Sequence, residues 1–309
     1  MSTFESQKKR RELNEKLIKF TLIIAAVISI LTTFGILFSI LFEAIEFFKL
    51  RSFWYFLTGT VWSPGVTNSE FGALPIFAGT FVITIIALAV AIPIGLGSAI
   101  YMSEYASGKV RDYLKPLLEI LAGIPTVVYG FFAAVTVAPF VVKVANFFGI
   151  EATFNSALAS GIVMGIMIIP LVSSLSDDVI RAVPDSQRKA AFGLGMTHGE
   201  TIKNIVLPSA MPGIISASLL ALSRALGETM IVVMAAGLRP NLSWNPLDDM
   251  TTVTVTIVNS LVGDFEFNSP ETLSAFALGL MLFIVTLILN MISLSLIRKF
   301  KEKYKVNTL

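Results

Sequence analysis

The chain has 309 residues, of which 55% are hydrophobic and 14% are charged. In an ordinary soluble domain about 25% of the residues carry charge. This composition therefore nearly excludes a water-soluble globular protein. The 23 basic and 21 acidic residues give a formal net charge of +2, which offers no reason to expect a nucleic-acid partner. Because the sequence has no Cys and one His, His198, thiol chemistry is excluded and no metal site is expected.

Six apolar segments, each near the roughly 20 residues that cross a bilayer as a helix, predict an all-α integral membrane protein with six transmembrane helices. The first segment follows a basic tail, but it exceeds the apolar core of about 7 to 15 residues that is typical of signal peptides. We therefore expect an uncleaved first helix. The predicted helices cover residues 20–42, 74–102, 117–142, 152–176, 212–238 and 272–297.

The distribution of basic residues predicts the topology. Eighteen of the 23 lie in the two termini and in the connections 103–116 and 177–211, and four lie in the other three connections. Short cytoplasmic loops carry the excess of Lys and Arg in membrane proteins. Both termini are therefore predicted to be cytoplasmic.

The connections between the predicted helices are too short to hold a separate soluble domain. The longest are residues 43–73, 177–211 and 239–271, of about 30 residues each. No phosphate-binding loop motif occurs in the chain, so it has no visible means of hydrolysing ATP itself. Residues 251–258 alternate like a strand but are too few to span as a helix, and we expect them to form an interfacial or re-entrant element in the outer loop.

The connection 177–211 is predicted to be helical and cytoplasmic rather than membrane-spanning. Ala190 and Ala191 permit another surface to approach closely, Gly195 permits a turn, and Pro208 is expected to stop a helix before the next membrane segment begins. These features favour a compact docking helix.

The same connection resembles the EAA coupling loop of ABC-importer permeases. Gly195 follows the Ala190-Ala191 pair after three residues, and Ile205-Val206-Leu207-Pro208 follows after nine more. In that family the loop fits a groove of a cytoplasmic ATPase subunit. Lys189 stands where the family usually has Glu, so the charge contacts of that Glu are in doubt here. The residues that match the motif, with the departure, are Lys189, Ala190, Ala191, Gly195, Ile205, Leu207 and Pro208.

Three further segments, residues 97–106, 121–130 and 223–230, are similar to phosphate-uptake permeases. The chain length and the long first outer loop resemble the PstC-type subunit more than its PstA-type partner. The resemblance implies a type I ABC importer permease fold with cytoplasmic coupling helices, in a prokaryotic cytoplasmic (inner) membrane. It divides the chain into a tail, first helix and outer loop (1–70), a transmembrane domain (71–297) that contains the coupling loop 177–211, and a basic C-terminal tail (298–309).

The resemblance also implies the partners. They are a second permease subunit of PstA type, a dimer of PstB-type ATPase subunits, a phosphate-binding protein of PstS type, membrane lipid and inorganic phosphate. ATP and magnesium are expected on the ATPase subunits, with no cofactor, catalytic residue or metal ligand in this chain. The acidic outer loops suit delivery of phosphate by the binding protein, although ordinary solvated charges explain them equally well.

Arg224 lies near the middle of the predicted fifth helix, where a lipid-facing charge costs about 2.5 to 3.5 kcal/mol. It is therefore expected to face protein or a water-filled path. Glu228 lies four residues later and can neutralise part of that charge. Two readings stay open and are compatible: a structural ion pair, or a substrate pathway in which Arg224 contacts phosphate and Glu228 orients the guanidinium.

Three alternatives to phosphate import follow from the same residues. One arginine does not distinguish phosphate from another oxyanion such as sulfate or molybdate by charge. An ion-coupled secondary transporter would need neither an ATPase nor the coupling loop. A role in phosphate-sensing signalling is compatible with the sequence as a second function.

Overall fold

The computed structural model describes the backbone of residues 2–65, 69–262, 266 and 268–303, and the side chains of residues 14–65, 69–262, 266 and 268–299. Within these residues, six helices are long and apolar enough to cross a membrane, which confirms the prediction of a six-helix, all-α membrane protein. They are Asn14–Leu50, Leu74–Tyr105, Thr126–Phe147, Ala157–Arg181, His198–Leu226 and Pro270–Lys299.

The first part of the chain ends in an aromatic cluster. Helix α1 (Ser2–Leu50) is followed by the short helix α2 (Phe53–Thr58) and by two two-residue strands, β1 (Trp62–Ser63) and β2 (Glu70–Phe71), which pair antiparallel with Trp62 opposite Phe71. The side chains of Phe47, Phe56, Trp62 and Phe71 pack edge to face. This packing buries large aromatic area and joins α1 to the loop that follows it.

Helices α3 (Leu74–Ile100) and α7 (Ala157–Arg181) form the centre of the fold. Their close approach depends on glycine. A Cβ atom placed on Gly165 would lie 2.7 Å from Cβ of Val90, and one placed on Gly95 would lie 2.8 Å from Cβ of Val172. Small residues let membrane helices pack backbone to backbone, so α3 and α7 behave as one closely packed pair.

The predicted third helix, 117–142, is wrong at its start. Residues 117–122 belong to a separate amphipathic helix, α4 (Gly108–Ala122), which contains Glu119 and contacts α7. The spanning segment begins only after Gly123 and Pro125, and it consists of α5 (Thr126–Phe132), a π-helical turn (Ala133–Val137) and α6 (Ala138–Phe147). Pro125 disfavours a helical residue before it and has no N–H to donate, so the helix restarts there.

The predicted fifth helix, 212–238, is likewise two helices rather than one. A helical segment runs through α9 (His198–Thr201), a π-helical turn (Ile202–Val206) and α10 (Leu207–Leu226). It ends at Gly227, and α11 (Met230–Ala235) follows. Arg224 therefore lies in the last turn of a helix, not in the middle of one.

Within residues 251–258, all but the first two residues belong to a helix, α12 (Val253–Val262), which precedes the last helix, α13 (Pro270–Lys303). The alternating Thr and Val pattern does not produce a strand because α12 packs against α13 and α3. Val253 N donates a 3.0 Å hydrogen bond to Thr80 Oγ1 of α3. With ten residues, α12 is too short to cross a bilayer, and an interfacial or re-entrant position stays a prediction.

Candidate functional site

Arg224 and Glu228 lie on either side of the point where α10 ends. Gly227 is the C-cap of α10, so Glu228 falls in the break before α11. Arg224 Nη1 nevertheless lies 3.5 Å from Glu228 Oε2, and Glu228 Oε1 accepts a 3.1 Å hydrogen bond from Met230 N. The carboxylate therefore pairs with the arginine and also satisfies a backbone donor in the first turn of α11.

The two charges of this pair differ in exposure. The side chain of Glu228 is 3% exposed, whereas that of Arg224 is 46% exposed. Arg224 Nη2 lies 3.8 Å from Met167 Sδ, which is a weak acceptor. Because a guanidinium carries five N–H donors, the half-exposed Arg224 keeps donors that its contacts with Glu228 and Met167 do not occupy.

Helix α12 contacts the same break. Thr254 Oγ1 donates a 2.8 Å hydrogen bond to the carbonyl oxygen of Glu228. The sequence predicted neither Thr254 nor Met167 as part of this site. They lie 26 residues after Glu228 and 57 residues before Arg224 respectively, and no local spacing rule connects residues so far apart.

Three serines lie along one side of α10, next to the position of Arg224. Ser209, Ser216 and Ser223 are spaced by seven residues, which places them along one side of a helix. Ser223 Oγ lies 3.4 Å from Asn290 Oδ1 of α13. Polar side chains in a membrane helix favour protein or water over lipid, so this face is suited to a pathway or to another subunit.

The coupling loop contains a short helix that ends in a glycine turn. Helix α8 (Asp185–Gly193) has Leu194 as its C-cap, and Gly195 follows with φ +83°. Gly195 N donates to Phe192 O at 2.9 Å, and Met196 N donates to Ala191 O at 3.1 Å. These two bonds form a Schellman motif, which requires the left-handed conformation that glycine adopts without strain. The predicted turn at Gly195 is confirmed.

One side of α8 faces outward. Ala191 is buried, whereas four nearby residues are exposed and form what we term the docking face: Lys189, Ala190, Phe192 and Leu194. Exposed Phe and Leu side chains beside small Ala190 are typical of a surface that packs against another protein.

Residues Ile205, Leu207 and Pro208 lie where the coupling loop joins α10, and all three are half-buried. Pro208 does not stop a helix, contrary to prediction. It lies in the first turn of α10, directly after the π-helical turn Ile202–Val206. The helical run is continuous from His198 to Leu226, and the π-helical turn directly before Pro208 changes the α-helical hydrogen-bond pattern there, so the proline does not end the helix.

A second arginine–glutamate pair lies on the inner side of α8, opposite the docking face, and was not predicted. Arg188 Nη2 donates a 2.8 Å hydrogen bond to Glu104 Oε1, and both side chains are largely buried. Arg188 adjoins Lys189 of the motif, but Glu104 lies 84 residues earlier. The sequence contains no signal that would pair them.

Some acidic residues of the loops predicted to be outside the cell form hydrogen bonds or ion pairs with neighbouring side chains. Asp248 accepts hydrogen bonds from Ser243 Oγ at 2.5 Å and from Asn245 Nδ2 at 2.8 Å, and Glu46 pairs with Lys49 at 2.5 Å. Asp264, another acid of these loops, lies outside the described residues. Among the residues that the structure describes, no group of three or more His, Cys, Asp or Glu side chains could hold a metal ion.

Comparison with known proteins supplies the family context. The sequence profile described as "Binding-protein-dependent transport system inner membrane component" matches residues 91–305. The chain is 34% identical over 251 residues to the probable ABC transporter permease protein YqgH of Bacillus subtilis, covering 81% of this chain and 78% of the relative. It is 32% identical over 307 residues to the phosphate transport system permease protein PstC 1 of Mycobacterium tuberculosis, covering 89% and 90%.

The fold is also similar to that of a solved transporter. A chain from the crystal structure of a bacterial ABC transporter involved in the import of the acidic polysaccharide alginate superposes with a TM-score of 0.62 at 16% identity. The match covers 93% of this chain and 99% of that one. At this identity the likeness shows the fold alone.

Proposed function

Since the chain belongs to the family of binding-protein-dependent transport system inner membrane components, we propose that it is the permease subunit of an ATP-driven phosphate importer. Phosphate is the cargo named for its PstC relatives. The predicted ABC importer permease fold is confirmed by the family match and by the structural likeness. As a permease the chain is a transport subunit, and its task is to bind and pass the anion.

The main support for the proposal is the half-exposed guanidinium of Arg224, which forms an ion pair with the buried carboxylate of Glu228. Phosphate oxygens accept strong hydrogen bonds from a planar guanidinium, because its paired N–H donors have a fixed geometry. Glu228 neutralises part of the positive charge, so bound phosphate is attracted without being trapped. Arg224 and Glu228 are thus the proposed substrate pathway.

The coupling loop 177–211 is proposed to receive the motion of the ATPase subunits. Its exposed docking face and the rigid Gly195 turn support this role. Ile205, Leu207 and Pro208 connect the loop directly to α10, the helix that carries Arg224. A movement of the loop is therefore expected to displace the arginine.

The proposed assembly contains this chain, a PstA-type permease, two PstB-type ATPase subunits and a PstS-type binding protein. The chain is a multi-pass protein of the prokaryotic inner membrane, and we propose that both termini are cytoplasmic. The division into residues 1–70, 71–297 and 298–309 is part of the same proposal. The basic tails are expected to meet anionic lipid headgroups.

The test is phosphate uptake at low external phosphate in cells that lack this chain. Complementation with the wild type is expected to restore uptake that excess sulfate or molybdate does not inhibit, and Arg224→Gln is expected to abolish it at equal membrane abundance. Lys143→Gln, at an exposed position in the second half of α6, serves as the matched charge-loss control.

Inhibition of phosphate uptake by sulfate or molybdate would indicate that the same transporter carries a different oxyanion. Uptake that persists without any ATPase subunit would instead indicate an ion-coupled secondary transporter. Uptake that the wild type fails to restore, with all partners present, would remove the phosphate assignment.

A further inference from the structure

Arg188 lies on the inner side of α8, opposite the docking face, and its side chain is 16% exposed. It contacts three separate parts of the chain. Nη2 donates to Glu104 Oε1 at 2.8 Å and to Ile180 O at 3.0 Å, and Nη1 donates to Val183 O. An exposed carboxylate, Asp185, lies 3.4 Å from Nη1.

These partners belong to the cytoplasmic ends of the two central helices. Glu104 lies in the π-helical turn Tyr101–Tyr105 that ends α3, and its side chain is 6% exposed. Ile180 lies in the last turn of α7, and Val183 lies just beyond it. A cation there also complements the partial negative charge of the carbonyl groups at the end of a helix.

Glu104 receives a second contact from the far end of the coupling loop. His198 Nε2 lies 3.2 Å from the carbonyl oxygen of Glu104, and the His198 ring packs edge to face on Tyr105 at 5.2 Å. The end of α3 is therefore held from both sides of the Gly195 turn.

We infer that Arg188 is a positioning residue that locks the coupling helix α8 to the ends of α3 and α7, so that a displacement of the docking face moves both helices together. This inference rests on the proposed function as an ATP-driven permease. Glycine-mediated packing already makes α3 and α7 a close pair, and Arg188 is the side chain that joins this pair to the docking helix.

The chemistry of the contact requires arginine. One rigid guanidinium reaches a carboxylate and two carbonyl oxygens at once, which the single ammonium group of lysine does not reproduce. Removal of Arg188 also leaves Glu104 buried without its partner. A hydrogen bond between α8 and α10 is of a weaker kind, since Ser209 Oγ donates to Gln187 Oε1 over 3.1 Å at an exposed position.

The experiment uses the complete transporter in proteoliposomes, with the binding protein, phosphate and ATP supplied. Three quantities are measured for each variant: the amount of copurified ATPase subunit, the rate of ATP hydrolysis and the rate of phosphate uptake. The variants are Arg188→Gln, Glu104→Gln and the milder Arg188→Lys. The matched control is Lys115→Gln, which removes the exposed ion pair of α4 with Asp178 of α7 on the same side of the molecule.

The expected result is that copurified ATPase stays within about twofold of wild type while phosphate transported per ATP falls about tenfold, the range of a typical coupling between sites. Arg188→Lys is expected to show the same uncoupling at near-normal assembly, and Lys115→Gln is expected to keep the wild-type ratio.

Two outcomes would overturn the inference. An unchanged ratio of phosphate to ATP in all three variants would show that Arg188 transmits nothing. A loss of uptake that only follows a proportional loss of copurified ATPase would assign Arg188 to docking instead. A wild-type assembly that hydrolyses ATP without moving phosphate would overturn the proposed function itself, before any variant is compared.

Discussion

Two arginine–glutamate pairs in this protein use the guanidinium in opposite ways. Arg188 lies beneath the docking face, is largely buried and donates to Glu104 and to two backbone carbonyls. Arg224 lies at the end of α10, is half exposed and has one carboxylate partner 3.5 Å away. The first arginine has little capacity left for a ligand, whereas the second keeps most of its donors free.

The glutamates of the two pairs are alike, since both are almost fully buried. Removal of either arginine therefore leaves an unpaired buried carboxylate, which destabilises a protein whatever the arginine does in transport. Single arginine variants are therefore compared at equal amounts of assembled protein, or by the ratio of phosphate to ATP. The difference between the pairs is best tested by variants that remove or retain both charges.

The largest effect is expected for the double variant Arg224→Gln/Glu228→Gln. With no buried charge left unpaired, assembly should stay near wild type, while loss of charge-assisted bonds to phosphate should lower uptake about 100-fold. Uptake normalised to membrane protein amount is the measurement. Near-normal uptake would show that Arg224 and Glu228 have a structural role only. The proposed difference between this pair and Arg188–Glu104 would then be wrong.

Arg224→Lys tests whether the free donors must be arranged as a planar fork. Lysine keeps the positive charge beside Glu228 but loses bidentate contacts, so uptake should fall about tenfold. The measurement is the apparent affinity and maximal rate of uptake, compared with Arg239→Lys at an exposed loop position. Equal uptake in the two variants would argue that a point charge suffices at residue 224.

Thr254→Val tests whether α12 helps to hold the break that contains Glu228. The variant removes the hydrogen bond from Thr254 Oγ1 to Glu228 O, which should lower stability by about 1 kcal/mol and uptake by less than about fivefold. Thermal inactivation of uptake is the measurement. Thr286→Val is the control, since Thr286 Oγ1 donates within its own helix, and it should leave the break unaffected.

The smallest effect is expected for Lys189→Glu, which restores the acidic residue usual in the coupling motif. Lys189 is exposed, and exposed ion pairs contribute about 0 to 1 kcal/mol. Copurification of the ATPase should therefore change less than about fivefold, with a different dependence on salt and an unchanged ratio of phosphate to ATP. If the ratio of phosphate to ATP changed as much as is expected for Arg188→Gln, Lys189 and Arg188 could not be assigned the separate roles of docking and positioning.

Much of the fold was predictable because it depends on local properties. Segment length and hydropathy predicted all six spanning helices. The sequence of the connection 177–211 predicted a short helix and the turn at Gly195, since the left-handed conformation of Gly195 is a property of one residue. That this helix docks on another subunit stays a prediction.

The helix boundaries were less predictable. The break at Gly123–Pro125 lies inside an apolar stretch, where hydropathy does not change at the helix end. The break at Gly227 lies between Arg224 and Glu228, whose spacing of four residues also fits one continuous helix. Thr and Val alternation at 251–258 favoured a strand, but packing of α12 on α3 and α13 made it a helix. Tertiary contacts overrode local preference there.

By itself the sequence determined the six apolar helices, the glycine turn after α8, and the presence of an arginine that lipid would not accept, because length, polarity and glycine conformation act over a few residues. Only the tertiary structure decided which charges meet. Glu104 reaches Arg188, and Thr254 reaches Glu228, because the close approach of α3 to α7 and the packing of α12 against the core bring distant residues together. That packing separates an arginine with free donors from one whose donors are taken.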